Sequence, residues 1–161
     1  MAVKLLNPEG DFPAAGLLRR LAGMFYDFLL CVALVMVLTL GYQQGLLRAL
    51  YGADTLLAMS EAGQLDRDPL LGVLLLLSLL TFFIGFWSWK GQTLGMQAWR
   101  VRLQQPDGRS ITLRQGLIRF FVGLASWLCG GLGHLWMLWD KQSRSWQDIA
   151  SGTQLVRLPK R

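Results

Sequence analysis

The stretch RRLAGMFYDFLLCVALVMVLTL, residues 19–40, decides how this chain is read. It approaches the roughly 20 apolar residues that a helix needs to span a bilayer. Yet it opens on two arginines and holds an aspartate, Asp27. An aspartate at the centre of a membrane helix costs roughly 2.5 to 3.5 kcal/mol, and each apolar residue that follows offsets roughly 0.3 to 0.6 kcal/mol of that. Insertion therefore wins, helped by a polar neighbour for the carboxylate. Residues three, four and seven apart share a helix face, so Gly16, Arg20, Gly23, Asp27 and Cys31 form one small, polar stripe. Such a stripe belongs inside a bundle, and Asp27 is expected to face protein or water. Arg20, two turns earlier and about 10 Å along the axis, is an expected partner, with Arg119 and Lys90 as rivals.

Two further apolar runs follow. LLGVLLLLSLLTFFIGFWSW, 70–89, carries no charge, and FFVGLASWLCGGLGHLWMLW, 120–139, is interrupted by Gly130, Gly131 and Gly133. The composition agrees with them. Only 16% of the 161 residues are charged, against about a quarter in a soluble domain. The net charge of +6 is explained by placement rather than by nucleic acid. Lys4, Arg19 and Arg20 precede the first run, and Lys90, Arg100, Arg102, Arg109, Arg114 and Arg119 follow the second against Asp107 alone. The loop between carries Arg48 and Arg67 against Asp54, Glu61, Asp66 and Asp68. Lys and Arg concentrate in cytoplasmic flanks, so the N-terminus and the basic loop are expected inside and the acidic loop outside.

Three plain crossings would put the tail outside, yet it carries Lys141, Arg144, Arg157, Lys160 and Arg161 against Asp140 and Asp148. The segment WRVRLQQPDGRSITL alternates around a Pro106-Asp107-Gly108 turn, and TQLVRL, 153–158, reads as another strand. A lone hairpin is marginal; a third strand joining it would hold the tail inside. The third run is therefore expected to dip in and return, or to lie in plane, rather than cross. Thr112 and Gln115 have capping-box spacing, marking a helix start. Residues 43–62 have helical spacing that extends the first helix and adds a short outer one. GQTLG, 91–95, reads as a turn or helix start rather than a dimer face.

The expected fold class is an all-α membrane protein: two spanning helices, a broken third apolar segment that is re-entrant or in-plane, and a small cytoplasmic β-hairpin or three-stranded patch. The expected organisation is one membrane domain over 1–161. It comprises a cytoplasmic N-terminal segment (1–17), a spanning helix (18–41), an outer loop (42–69) and a second spanning helix (70–89). A basic cytoplasmic loop with the hairpin (90–119), the glycine-broken segment (120–139) and a cytoplasmic tail (140–161) complete it. Glu9, Asp11, Pro8 and Pro13 stand where a signal peptide would be basic and then apolar, so the first run is expected to remain as an anchor.

No enzyme motif is present: no GxSxG, HExxH, P-loop or Rossmann glycine pattern. No cofactor or metal is expected, and Cys31 and Cys129 read as packing residues. An ionisable residue within the membrane marks a functional site by default, with a structural ion pair as the rival reading of Asp27. His134 is a weaker candidate, for a proton relay or a packing contact. The basic loop suits anionic headgroups as a secondary role.

RRLAGMFYDFLL resembles the opening of the RDD family, with Arg20 and Asp27 matching its arginine and first aspartate. KGQTLGMQAWRVRLQQPDGRSITLRQGLIRF resembles the family's central block, a Gly-Gln/Lys-Thr-Leu-Gly turn, a strand, an Asp-Gly turn and a helix bearing Arg119. WDKQSRSWQDIASGTQLV resembles its ending; Asp148 matches the second aspartate best, with Asp140 the alternative. Gln147 stands where the family commonly has histidine. The resemblance implies a multi-pass protein of the bacterial inner membrane, with transport suspected and cation/proton exchange proposed for some members. Asp27 would then bind proton and cation alternately, and Arg119 and Asp148 would shape the cytoplasmic mouth. Two or three spans hardly enclose a pathway, so a homo-oligomer is implied. The alternative is a non-transporting module that assembles with another membrane protein, its Arg20, Asp27, Arg119 and Asp148 being a structural network.

Overall fold

In the computed structural model, which describes residues 3–65 and 68–159, helix begins at Leu17 and runs unbroken to Tyr51. It comprises α1 (Leu17–Leu40), a π-helical segment (Gly41–Leu47) and α2 (Arg48–Tyr51). It continues past residue 41, as the helical spacing from residue 43 onward suggested, although Gly41–Leu47 is wound as a π-helix. The stop comes at Gly52, whose φ of +83° favours a residue without Cβ. After α3 (Ala53–Glu61) comes α4 (Pro69–Lys90), the second helix long and apolar enough to span a bilayer. Leu70, Val73, Leu74, Leu76 and Leu77 of α4 are exposed. An apolar surface of that extent needs lipid or protein against it. The contributions of Asp66, Arg67, Lys160 and Arg161 to the charge pattern lie outside the described residues.

The chain divides into two compact units, Leu29–Leu79 and the sequence on either side of it. In the first unit Tyr42, Leu47 and Leu56 form a small core with Leu65 and Leu71 against it. The Tyr42 hydroxyl donates to the Asp68 carboxylate at 2.7 Å, and Asp68 also accepts from the Leu70 N–H at the start of α4.

The second unit contains every candidate residue. Following α4 are α5 (Leu94–Ala98), β1 (Val101–Gln104), α6 (Leu113–Leu128), α7 (Leu132–Leu135) with a 3-10 turn (Trp136–Leu138), α8 (Trp146–Ser151) and β2 (Gln154–Arg157). β1 pairs antiparallel with β2, Val101 opposite Arg157 and Gln104 opposite Gln154. The turn at 106–108 forms, with the Gln105 N–H bonded to the Arg109 carbonyl. Its return arm, however, makes only a bridge from Arg109 to Leu5, so the sheet is two-stranded and joins the tail instead of a local hairpin. Ala15, Met96, Val101, Leu103, Ile111 and Leu155 form the core beneath it.

α6 opens on the expected capping box: Thr112 Oγ1 accepts from the Gln115 N–H, and Gln115 Oε1 from the Thr112 N–H. At Gly130 and Gly131, with φ +69° and +81°, the chain turns by 108°. It then doubles back on α6, bringing His134 onto Ser126 and Asp148 onto Arg119. A straight crossing would instead carry the chain about 30 Å from its entry. The residues before α1 are also bonded to the tail: the Ala15 N–H donates to the Leu155 carbonyl and the Arg157 N–H to the Pro13 carbonyl. The described segments before α1 and at the end of β2 therefore lie together beside β1. Cysteines placed singly at exposed Glu9 and Pro159, with Cys31 and Cys129 changed to serine, are expected to react with an impermeant maleimide from the same side of oriented vesicles.

Candidate functional site

The middle of the expected stripe is what α1 buries, Arg20, Gly23 and Asp27, whereas Gly16 is exposed ahead of the helix and Cys31 is only half-buried. Its arginine and its aspartate go to different partners. Arg20 does not lean on Asp27. Its Nη1 reaches Asp148 Oδ2 at 2.5 Å, its Nε donates to the Ala15 carbonyl at 2.8 Å and its Nη2 to the Ser143 carbonyl at 3.0 Å. Arg119 Nη1 takes the other oxygen, Asp148 Oδ1, at 2.6 Å and Thr153 Oγ1 at 3.0 Å. Two guanidiniums thus share one carboxylate, and all three side chains are buried.

Local structure presents each member. Asp148 is the third residue of α8, where its Oδ2 accepts from the Ser145 N–H at 3.0 Å and closes a capping box. Arg119 follows Gly116 on the buried face of α6, where Gly116 lets Ile84 of α4 come close. Thr153 is held by the Ser151 hydroxyl at 2.7 Å. The triad therefore clamps the start of α1, the middle of α6 and α8 together across 128 residues of sequence. Burial alone would push the Asp148 carboxyl up. Arg119 and Arg20, with the Ser145 N–H, outweigh it and hold the group well below the usual carboxylate range.

Asp27 is 4% exposed and forms no ion pair with a described residue. Its Oδ2 accepts from the Thr93 hydroxyl at 2.5 Å and its Oδ1 from the Gly95 N–H at 2.9 Å. Thr93 is also the N-cap of α5, accepting from the Met96 N–H at 3.2 Å. The GQTLG stretch is thus the turn and helix start its residues suggested, and it additionally clasps α1 through Asp27. Lys90, the other suggested partner, lies instead over the Trp89 ring, 4.5 Å from its centre.

The two weaker candidates separate. Asp140 pairs with Arg144 at 3.0 Å in a partly exposed contact. The Arg144 hydrogen bonds pull its carboxyl down to about 2, and it takes no part in the triad. His134 is buried, with Nδ1 2.9 Å from Ser126 Oγ and its ring 5.2 Å from that of Trp127. Gly133 beside it leaves room for Ser126 and Trp146, so His134 sits in a packed bend rather than on an open path. Gln147, the residue in place of the family's histidine, is buried with its Oε1 unpartnered among the described residues.

Arg102, counted above among the charges of the basic loop, is 1% exposed. It binds Gln104 Oε1 at 2.6 Å and the Pro8 carbonyl at 2.9 Å, fastening the N-terminal segment to β1. Among the described residues no group of three or more His, Cys, Asp or Glu could hold a metal ion.

No curated protein and no solved structure matches the chain. The family model for the RDD family matches residues 14–152, which include both members of the Asp27–Thr93 clasp and Arg20, Arg119 and Asp148. With two apolar helices of spanning length and a bent apolar pair, this chain is a membrane protein that belongs to the RDD family.

Proposed function

We propose that this chain is a non-transporting membrane module of the bacterial inner membrane, with both termini cytoplasmic, that works by assembling with a second copy or another membrane protein. One observation supports this above the rest: the charged groups suited to carrying an ion are consumed within the chain. Asp148 is taken by Arg20 and Arg119, and both oxygens of Asp27 accept hydrogen bonds from Thr93 and Gly95. A buried charge is tolerated when paired or hydrogen-bonded, and these are. The basic residues exposed around β1, Lys90, Arg109 and Arg114 among them, favour a cytoplasmic face.

A second reading, cation/proton exchange at Asp27, rests on its being a buried carboxylate with neutral partners. Reconstitution separates the two. Asp27→Asn keeps an acceptor for the Gly95 N–H and can reverse its bond to Thr93, so the variant is expected to stay folded. Vesicles with wild type or Asp27→Asn are expected to show no pH-gradient-driven sodium or potassium flux above protein-free vesicles. Cross-linking in native membranes is expected to capture a discrete partner or homo-oligomer. Wild-type flux that Asp27→Asn removes, at unchanged melting temperature, would establish exchange instead.

A further inference from the structure

The buried triad is not electrically balanced. Arg20 and Arg119 share Asp148, and Arg144 beside them shares Asp140. Three guanidiniums meet two carboxylates, leaving one positive charge. A cavity of about 210 Å³ opens on this cluster, lined by Arg20, Gln142, Ser143, Arg144, Asp148 and Gln154 among others. Drug-sized ligands occupy about 300 to 1,000 Å³, so this space suits something smaller.

Its lining also has donors to spare. Arg144 uses Nε and Nη2 on Asp140, and its Nη1 has no hydrogen-bond partner among the described residues. The Gln142 and Gln154 side chains carry no hydrogen bond there either. Ser143 has φ +53°, in the left-handed region, and its carbonyl faces Arg20. The lining thus combines a net positive charge, a guanidinium whose Nη1 N–H groups have no partner among the described residues, and two side-chain amides. Arginine forks match phosphate oxygens in geometry and charge.

We propose that this cavity binds a phosphate group, with Arg144 as the gripping residue and the triad supplying the uncompensated charge. The group is either a free phosphate or the phosphate of an anionic lipid whose headgroup reaches the face carrying β2 and the N-terminal segment. This site does not depend on whether the chain transports, because Asp27 takes no part in it.

The test uses the full chain in a zwitterionic detergent, titrated with inorganic phosphate against chloride at matched ionic strength. A second titration uses dihexanoyl phosphatidic acid against dihexanoylglycerol. Affinity is read from the ligand-dependent rise in melting temperature. Arg144 is partly exposed, and exposed pairs contribute little to stability, so Arg144→Gln is expected to fold and to bind at least about tenfold more weakly. Asp140→Asn, which removes a competing carboxylate, is expected to bind more tightly. Arg114→Gln, an exposed arginine outside the cavity, is expected to bind as wild type does. A rise with inorganic phosphate supports a soluble source, and a rise with phosphatidic acid alone supports a lipid source. No rise with either ligand, a rise that Arg144→Gln leaves intact, or one that Arg114→Gln removes equally would overturn the site.

Discussion

Asp148→Asn is expected to destabilise the protein by about 3 to 5 kcal/mol, the cost of breaking a buried charge network at one member. Asparagine offers one acceptor oxygen where the carboxylate offers two, and its amide N–H groups would face a guanidinium. One of Arg20 and Arg119 then loses its bond to residue 148, keeping only neutral acceptors such as the Ser143 carbonyl or the Thr153 hydroxyl, and both lose their counter-charge. At this chain length the loss corresponds to a drop of about 6 to 20 °C in melting temperature, measured in detergent. Arg20→Met, Asp148→Leu and Arg119→Met combined are expected to melt well above Asp148→Asn, because removing a whole buried network is often near neutral. A site kept for chemistry alone would show no such ordering. The pH dependence has a definite sign. A carboxyl held low in the folded state contributes stability above its unfolded value of about 3.9. That contribution is lost as pH falls through the lower folded value. Asp148 is held below the usual range, so the gap between wild type and Asp148→Asn is expected to stay flat from about pH 8 to pH 5. It closes only in stronger acid.

What was legible in the sequence followed from local period and local chemistry. Arg20, Gly23 and Asp27 recur at helical spacing, and they are what α1 buries. The Thr112–Gln115 box, the Gly130–Gly131 break and the tail strand are all present. Partner choice was not legible. Arg20 is seven positions from Asp27 and 128 from Asp148, and no pattern along the chain says which carboxylate a flexible guanidinium meets. Helical proximity favoured Asp27, but Thr93 and Gly95 already occupy both its oxygens. A cue for Asp148 did exist: Ser145 three residues before it has capping-box spacing, which places the aspartate at a helix start. Arg102 shows the converse limit. A charge count treats it as one more loop cation, whereas its neighbours Gln104, Leu6 and Pro8 bury it.

Gly95→Ala and Gly23→Ala, two alanines placed on facing helices, are expected to act in opposite directions. A Cβ on Gly23 would meet its nearest atoms at 3.7 Å, ordinary contact. Gly23 lies inside α1, where alanine is favoured over glycine by about 0.8 to 1 kcal/mol, so Gly23→Ala is expected to be neutral or mildly stabilising. A Cβ on Gly95 would run into the Gly23 carbonyl oxygen and lie 2.8 Å from Asp27 Oδ1 and 2.9 Å from Asp27 Cγ. The carbonyl is backbone within a helix and cannot swing aside, and the carboxylate is held by Thr93. Relief requires α5 to withdraw from α1, which stretches the Gly95 and Thr93 bonds to a buried acid. Overpacking of this kind costs about 1 to 3 kcal/mol, and weakened hydrogen bonds to a buried charge add about 1 to 3 kcal/mol more. Together they exceed the propensity gain, so Gly95→Ala is expected to lower stability by about 1 to 5 kcal/mol. Melting of the two single variants checks the signs. Asp27→Ala combined with Gly95→Ala checks the cause: the carboxylate is one of the two obstacles, so the double variant is expected to lose less than the two single losses together. A fully additive result would mean that the carboxylate is not what the added methyl strikes, and that the Gly23 carbonyl alone obstructs it.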